Sequence, residues 1–336
     1  MFAKVFQVLP GFIAALLIAL IAKSAASLPG ANLIGASIIS MFVGMLFHAY
    51  FKSSALIPGI KFTSKKILKF AIVLLGASLS IETILTVGKH SLTVMIFTLL
   101  TCFGGGYFIG KSLGLNWKLS NLISAGTGIC GGSAVAAIAP VVDAEDTDIA
   151  YAISATFLFD MFMILMFPFM GRWLGLTDMQ YGLWAGTAVN DTASVVAAGY
   201  AFSDAAGDFA TMVKLTRTLS IIPTVLIFAY LNTRLKQKQN LQGATSAKVN
   251  FFSLFPWFIA AFIALAVVNS FGLIPLSVSL AAKDTSKFLM VAALGAIGMN
   301  TSFKDLKKLG LAPMLHGFIV SVLVLIVALA VIMFYA

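Results

Sequence analysis

Residues 125–133 read Ala125-Gly126-Thr127-Gly128-Ile129-Cys130-Gly131-Gly132-Ser133, and residues 185–194 read Ala185-Gly186-Thr187-Ala188-Val189-Asn190-Asp191-Thr192-Ala193-Ser194. Both stretches lie near the middle of apolar runs. A glycine inside a helix costs about 1 kcal/mol relative to alanine, and backbone groups released into hydrocarbon cost several more unless something satisfies them. Four glycines between Gly126 and Gly132, and an Asn-Asp pair at 190–191, therefore predict two helices that unwind where protein or a water-filled cavity surrounds them. A half-helix resuming after Ser133, and another after Thr192 or Ser194, would start with free N–H groups and partial positive charge, which together suit an anion. Thr127, Ser133, Thr187, Asn190, Thr192 and Ser194 add neutral donors and acceptors, and Gly131 and Gly132 give close backbone approach. The competing reading takes the glycines as packing devices between helices, but packing does not account for Asn190 and Asp191.

The rest of the chain sets this pair in a membrane. Of 336 residues, 60% are hydrophobic and 10% charged, and mean hydropathy is +1.02, whereas a soluble domain carries about 25% charge. Too few polar side chains exist to cover a water-facing surface. Apolar stretches at 5–22, 32–50, 67–85, 92–110, 122–142, 149–170, 181–202, 209–231, 254–271, 287–303 and 311–335 predict an all-α polytopic membrane protein of eleven transmembrane helices, within a range of ten to twelve. It is read as one integral membrane domain, 1–336. The run 5–22 is taken as a retained helix, since span after span follows it.

Lys and Arg collect in cytoplasmic loops. With the N-terminus inside and the C-terminus outside, Lys61, Lys65, Lys66, Lys111, Lys118, Arg172, Arg234, Lys236, Lys238, Lys304, Lys307 and Lys308 fall on the inner side, including a basic loop at 232–250. Asp143, Glu145, Asp146 and Asp148, with Asp204 and Asp208, fall outside. The net charge of +10 is scattered between apolar runs rather than gathered on one face, which excludes nucleic-acid binding. Cys102 and Cys130 offer neither a disulfide framework nor a metal clip, and no cofactor is implied.

Four ionisable groups lie well inside predicted spans: Lys214, Arg217, Asp160 and Asp191. Each costs about 2.5–3.5 kcal/mol even on a lenient insertion scale, so each marks function or a buried partnership. Lys214 and Arg217 are three apart and share a helix face. Arg217 is the candidate countercharge for an oxyanion, held by its planar fork, with Lys214 attracting anions nearer the mouth. The other reading pairs Arg217 with Asp191 or Asp160 as a structural ion pair. The two combine if a carboxylate releases Arg217 to substrate and takes a proton, which makes Asp191 and Asp160 the candidates for ion coupling. His48 and His90 are expected at interfaces, and His316 in packing.

Internal similarity supports duplication: Lys69-Phe70-Ala71-Ile72-Val73-Leu74-Leu75-Gly76-Ala77 resembles 287–296 with one residue skipped, and the two runs would point in opposite directions, as in transporters built from inverted repeats. Repeat halves of 1–176 and 177–336 follow.

The run from Gly126 to Ala137, then Gly186 to Gly199, then Lys214-Leu215-Thr216-Arg217 resembles the sulfate exporters, or YeiH-like proteins, of bacterial inner membranes, over nearly the whole chain. The resemblance implies a secondary transporter exporting sulfate or a small sulfonate by alternating access, with H⁺ or Na⁺ as coupling ion, possible assembly as a homodimer, and remote kinship to bile-acid symporters and sodium/proton antiporters, whose inverted repeats cross two broken helices. One departure stands: the charge pattern makes the segments around 126–132 and 186–194 parallel, whereas crossing repeats should be antiparallel, so either the repeat order is permuted or a segment is re-entrant. A channel or a carrier for a carboxylate is the nearest alternative function. An intramembrane hydrolase built on Ser133 and His316 is a remote one, because nothing orients the histidine.

Overall fold

The computed structural model describes residues 2–27, 36–50, 53–238, 257–300 and 310–335. Lys304, Lys307, Lys308, most of the basic loop at 232–250, and residues 32–35, 254–256 and 301–303 of the apolar stretches lie outside them. The described residues are helical with no strand. Five helices, at 6–26, 81–112, 147–173, 204–235 and 311–334, are long and apolar enough to cross a membrane, and shorter apolar helices accompany them. The chain is a multi-pass helical membrane protein.

Helices α1 (Phe2–Ala26), α2 (Ala36–Tyr50), α3 (Ile57–Phe62), α4 (Leu68–Gly76), α14 (Trp257–Ser270) and α15 (Leu276–Met299) form one layer. A π-helical turn, Thr63–Ile67, joins α3 to α4. Within the layer α2 lies along α15 so closely that a Cβ on Gly298 would stand 2.0 Å from Met41 O. Glycine is the one residue that permits this approach.

The second layer holds α5 (Ile81–Leu100), α6 (Gly106–Ser112), α7 (Trp117–Ala125), α8 (Gly132–Ile138), α9 (Asp146–Trp173), α10 (Asp178–Ala188), α11 (Thr192–Phe202), α12 (Asp204–Thr218), α13 (Ile221–Lys238) and α16 (Leu311–Tyr335). Polar caps mark where its segments begin: Asn116 accepts from Leu119 N at α7, Thr177 and Gln180 form a capping box at α10, and Ser203 accepts from Ala206 N at α12. The layers touch where α2 and α15 meet α11. They are also joined by two ion pairs, Lys283–Asp208 at 2.6 Å and Lys287–Asp204 at 2.8 Å.

The course of the second layer corrects the expected topology. Lys118 Nζ donates to Asp143 O at 2.6 Å, Asn116 Nδ2 to Asp148 Oδ1 at 3.2 Å, and Asn232 Nδ2 to Val141 O at 2.8 Å. The start of α7, the end of α8, the start of α9 and the end of α13 thus share one face, called the near face below. Ser203 Oγ donates to Asp178 Oδ1 at 2.5 Å, Tyr181 OH to Ala198 O at 3.0 Å and Arg172 Nη2 to Ala201 O at 2.7 Å. The end of α9, both ends of the α10/α11 pair and the start of α12 therefore share the opposite, far face.

Each broken segment is thus a hairpin that enters and leaves on one side, and the two enter from opposite sides. The lengths of the arms fit this course. At 1.5 Å per residue the eleven-residue arms α10 and α11 are each about 16 Å long, roughly half of a 30 Å hydrocarbon layer. The segments around 126–132 and 186–194 do not run parallel, because α7 and α10 start at opposite faces. The acidic segment 143–148 sits on the face of Lys118 and Arg172 on the opposite one, whereas the charge pattern groups Lys118 with Arg172 and sets 143–148 apart from them.

A disulfide between Asp178→Cys and Ser203→Cys, with Cys102 and Cys130 replaced by Ala, tests the second hairpin. Oxidation should close it within one chain, as read by mass spectrometry of the digested protein. A continuous helix crossing from one face to the other would hold those positions about 37 Å apart, and no crosslink would form.

Candidate functional site

The tips of the two hairpins meet inside the second layer, and the chain breaks there in two different ways. After α7 the residues Gly126–Cys130 wind as one π-helical turn, closed by Gly131 N to Gly126 O at 2.8 Å, and the interruption is confined to Gly131 at φ 64°, ψ −136°. An L side chain is strained there, and a Cβ would press within 3.2 Å of the Asp191 side chain. The expected unwinding across all of 126–132 is therefore narrower than predicted. After α10, Val189 turns extended at ψ 137°, and Asp191, also extended, caps α11 by accepting from Ala193 N at 2.8 Å.

Two helical arms that stop in the interior present carbonyls with no next turn to bond them. Helix α12, which lies along both α10 and α11, brings two fully buried cations to these carbonyls. Arg217 Nε donates to Gly128 O at 2.6 Å, Nη1 to Val189 O at 3.2 Å and Nη2 to Thr127 O. Lys214 Nζ donates to Ile129 O at 2.8 Å, Val189 O at 3.1 Å and Asn190 O. The freed amides are met by carboxylates: Asp160 on α9, buried, accepts from Asn190 N at 2.9 Å and from Asp191 N at 2.8 Å.

All four intramembrane charges that stand out in the sequence thus converge on one place. Positive groups lie on the carbonyl ends of the arms and negative groups on the amide ends, which matches the helix dipoles. Among the described residues no ion pair joins Arg217 or Lys214 to Asp160 or Asp191. The direct Arg217–carboxylate pair weighed from the sequence is absent, because backbone carbonyls hold the guanidinium instead.

Of the other residues expected here, Thr127 and Asn190 are fully buried at the tips, and Thr127 Oγ1 and Asn190 Oδ1 have no hydrogen-bond partner. Ser194 is buried in the first turn of α11, and Gly132, Asp191 and Thr192 are half-buried. Ser133 is exposed at the start of α8. Thr187 turns back along its own helix, donating to Leu183 O at 2.6 Å, and so is committed within α10. His316 lies away from Ser133, its Nε2 2.9 Å from Gly106 O and 3.3 Å from Ser120 Oγ.

Two contributors escape a reading of the sequence. Asn190 Nδ2 donates to Thr156 O at 3.5 Å and to Ser321 Oγ at 3.4 Å. Thr156 contributes its main-chain oxygen, its hydroxyl donating to Ala152 O and Ile153 O within α9, and so carries no signal in the sequence. Ser321 in α16 carries none either.

Replacing Arg217 by Met takes the guanidinium from Thr127 O and Gly128 O of the first tip, while Val189 O of the second keeps Lys214, and each buried carbonyl left without a donor costs about 1–3 kcal/mol. Thermal unfolding in detergent should show stability lowered by on the order of 3 kcal/mol, with Arg217→Lys falling between. Unchanged melting of Arg217→Met would show that the guanidinium does not hold the tips.

The family model described as "Conserved hypothetical protein 698" matches residues 10–317. A UPF0324 membrane protein of Clostridium tetani is 57% identical over 305 residues, covering 88% of each chain. Similar proteins from Streptococcus pneumoniae, 41% identical over 82% of each chain, and Fusobacterium nucleatum, 38% identical over 85% of this chain and 87% of that one, carry the same description. By that match and by these identities over matched length, the chain belongs to the UPF0324 membrane protein family, the family to which the YeiH-like motifs point.

Proposed function

We propose that this protein is a secondary active transporter of a small oxyanion, of the sulfate, sulfite or sulfonate class, working by alternating access. The observation that carries the reading is the meeting of two hairpin tips from opposite faces around two cations and two carboxylates. Interrupted backbone at mid-depth is the construction by which carriers build sites, and tips reaching in from each side offer a site that either face can open. The sulfur oxyanion class rests on the family resemblance alone.

The substrate contacts are assigned to the more open side of the junction: the first-turn amides of α11 with half-buried Thr192, and half-buried Gly132 with exposed Ser133 opposite, backed by buried Ser194 and Gly131. Thr127 and Asn190 bring unpartnered oxygens behind them. Arg217 acts by setting the position and the positive field of the tips, since three of its five N–H donors are bonded to their carbonyls.

Electrostatics supports coupling to a cation. With both carboxylates ionised, Lys214, Arg217, Asp160 and Asp191 sum to zero. An anion entering this low-dielectric place leaves it negative, which is costly, unless H⁺ or Na⁺ arrives with it. Asp191, half-buried beside the amides that an anion would use, is the assigned proton carrier, with Asp160 behind it.

The two units α7/α8 with α9, and α10/α11 with α12 and α13, are read as inverted repeats whose boundary falls at 176/177. Among the described residues we read nine crossings and two re-entrant hairpins in place of eleven crossings. The near face, with Lys111, Lys118 and Arg234, is assigned to the cytoplasm.

Counterflow of labelled sulfate, sulfite, taurine and sulfoacetate in proteoliposomes, with and without a pH gradient, tests the proposal. Exchange of at least one anion is expected, and Asp191→Asn should retain exchange but lose its dependence on pH. Absence of flux for every anion in protein that melts cooperatively overturns the substrate class.

A further inference from the structure

The cage around Lys214 is chemically unusual for a lysine. Its ammonium is fully buried, touches no carboxylate, and spends all three donors on backbone carbonyls, those of Ile129, Val189 and Asn190. These oxygens come from two chain segments that approach from opposite faces, each at the negative end of a helical arm. A compact ring of carbonyl oxygens is the environment that replaces the hydration shell of an alkali ion, and interrupted helices in carriers hold such ions in this way. Arg217 next to it differs, since a planar fork bonded to three carbonyls cannot be exchanged for a sphere.

A second observation points the same way. Thr127 Oγ1 and Asn190 Oδ1 are buried oxygens with no partner. They belong to residues whose own carbonyls are already bound by Arg217 and Lys214. The place thus holds more oxygen than the two cations use.

We propose that Lys214 is a tethered cation occupying a monovalent alkali-ion site, so that the protein binds no Na⁺ or K⁺ there, and that removing the ammonium converts the cage into such a site. The groups facing Lys214 are Arg217 on its own helix, Asp160 on α9, Asp191 before α11 and Cys130 in the π turn. Without Lys214, Arg217 faces two carboxylates and the cluster is negative by one charge, which a bound alkali ion restores to zero. This rests on the transport reading in one respect: it narrows the coupling ion to H⁺.

The test compares the parent with Lys214→Ala and Lys214→Met, purified in detergent, by thermal unfolding in LiCl, NaCl, KCl and choline chloride at equal ionic strength, with isothermal titration of the alkali salt giving the strongest response. The parent should melt alike in all four salts. Lys214→Ala should show a saturable rise of several degrees with one alkali ion over choline, and Lys214→Met, which fills the space with an apolar chain, should show none. A saturable alkali response in the parent, an equal response of Lys214→Ala to choline, or failure of Lys214→Ala to fold in every alkali salt each overturns the proposal. The readout needs no transported solute, so a parent that moves no anion would defeat the transport reading and leave this result intact.

Discussion

The second layer depends on one constraint: a helix that stops inside a membrane protein leaves carbonyl and amide groups that no water can reach. Two arms stop at the same place here. The adjoining helix α12 answers with Lys214 and Arg217 on the carbonyls, and α9 answers with Asp160 on the amides. The charges are stable in the interior because backbone dipoles of opposite sign surround them, and the breaks are stable because the charges are there. Neither half of this arrangement is favourable alone.

That mutual dependence links architecture to the reading of function. A bonded junction between hairpins from opposite faces ties the two sides of the molecule together through α9 and α12. The first layer packs tightly within itself through α2 and α15. It meets the second through α11 and through the charge pairs of Lys283 and Lys287 at the far face. Under the proposed transport role, this division supplies a site-bearing body and a supporting one, as carriers require.

Much of the site is legible in residue types. Gly131 stands at a left-handed break, Asp191 caps the next helix, and Lys214 and Arg217 share a face because they are three apart. The partners of those charges are not legible, since a backbone carbonyl has no letter in the sequence. A reader who counts side chains pairs Arg217 with Asp191 or an anion, whereas the structure pairs it with Thr127, Gly128 and Val189 through their main chain. Thr187 looks like a donor to the site, yet it folds back on its own helix.

Composition and hydropathy alone determined that the chain is a helical membrane protein, that its two mid-run interruptions matter and that four buried charges accompany them. Direction was decided only in three dimensions. Twenty-two apolar residues can make one crossing of about 33 Å or two arms of about 16 Å that return to their starting face, and the hydropathy of the two is the same. The difference lies in contacts remote from the break, Lys118 with Asp143 and Asp178 with Ser203, which tie together ends that a linear reading sends to opposite sides.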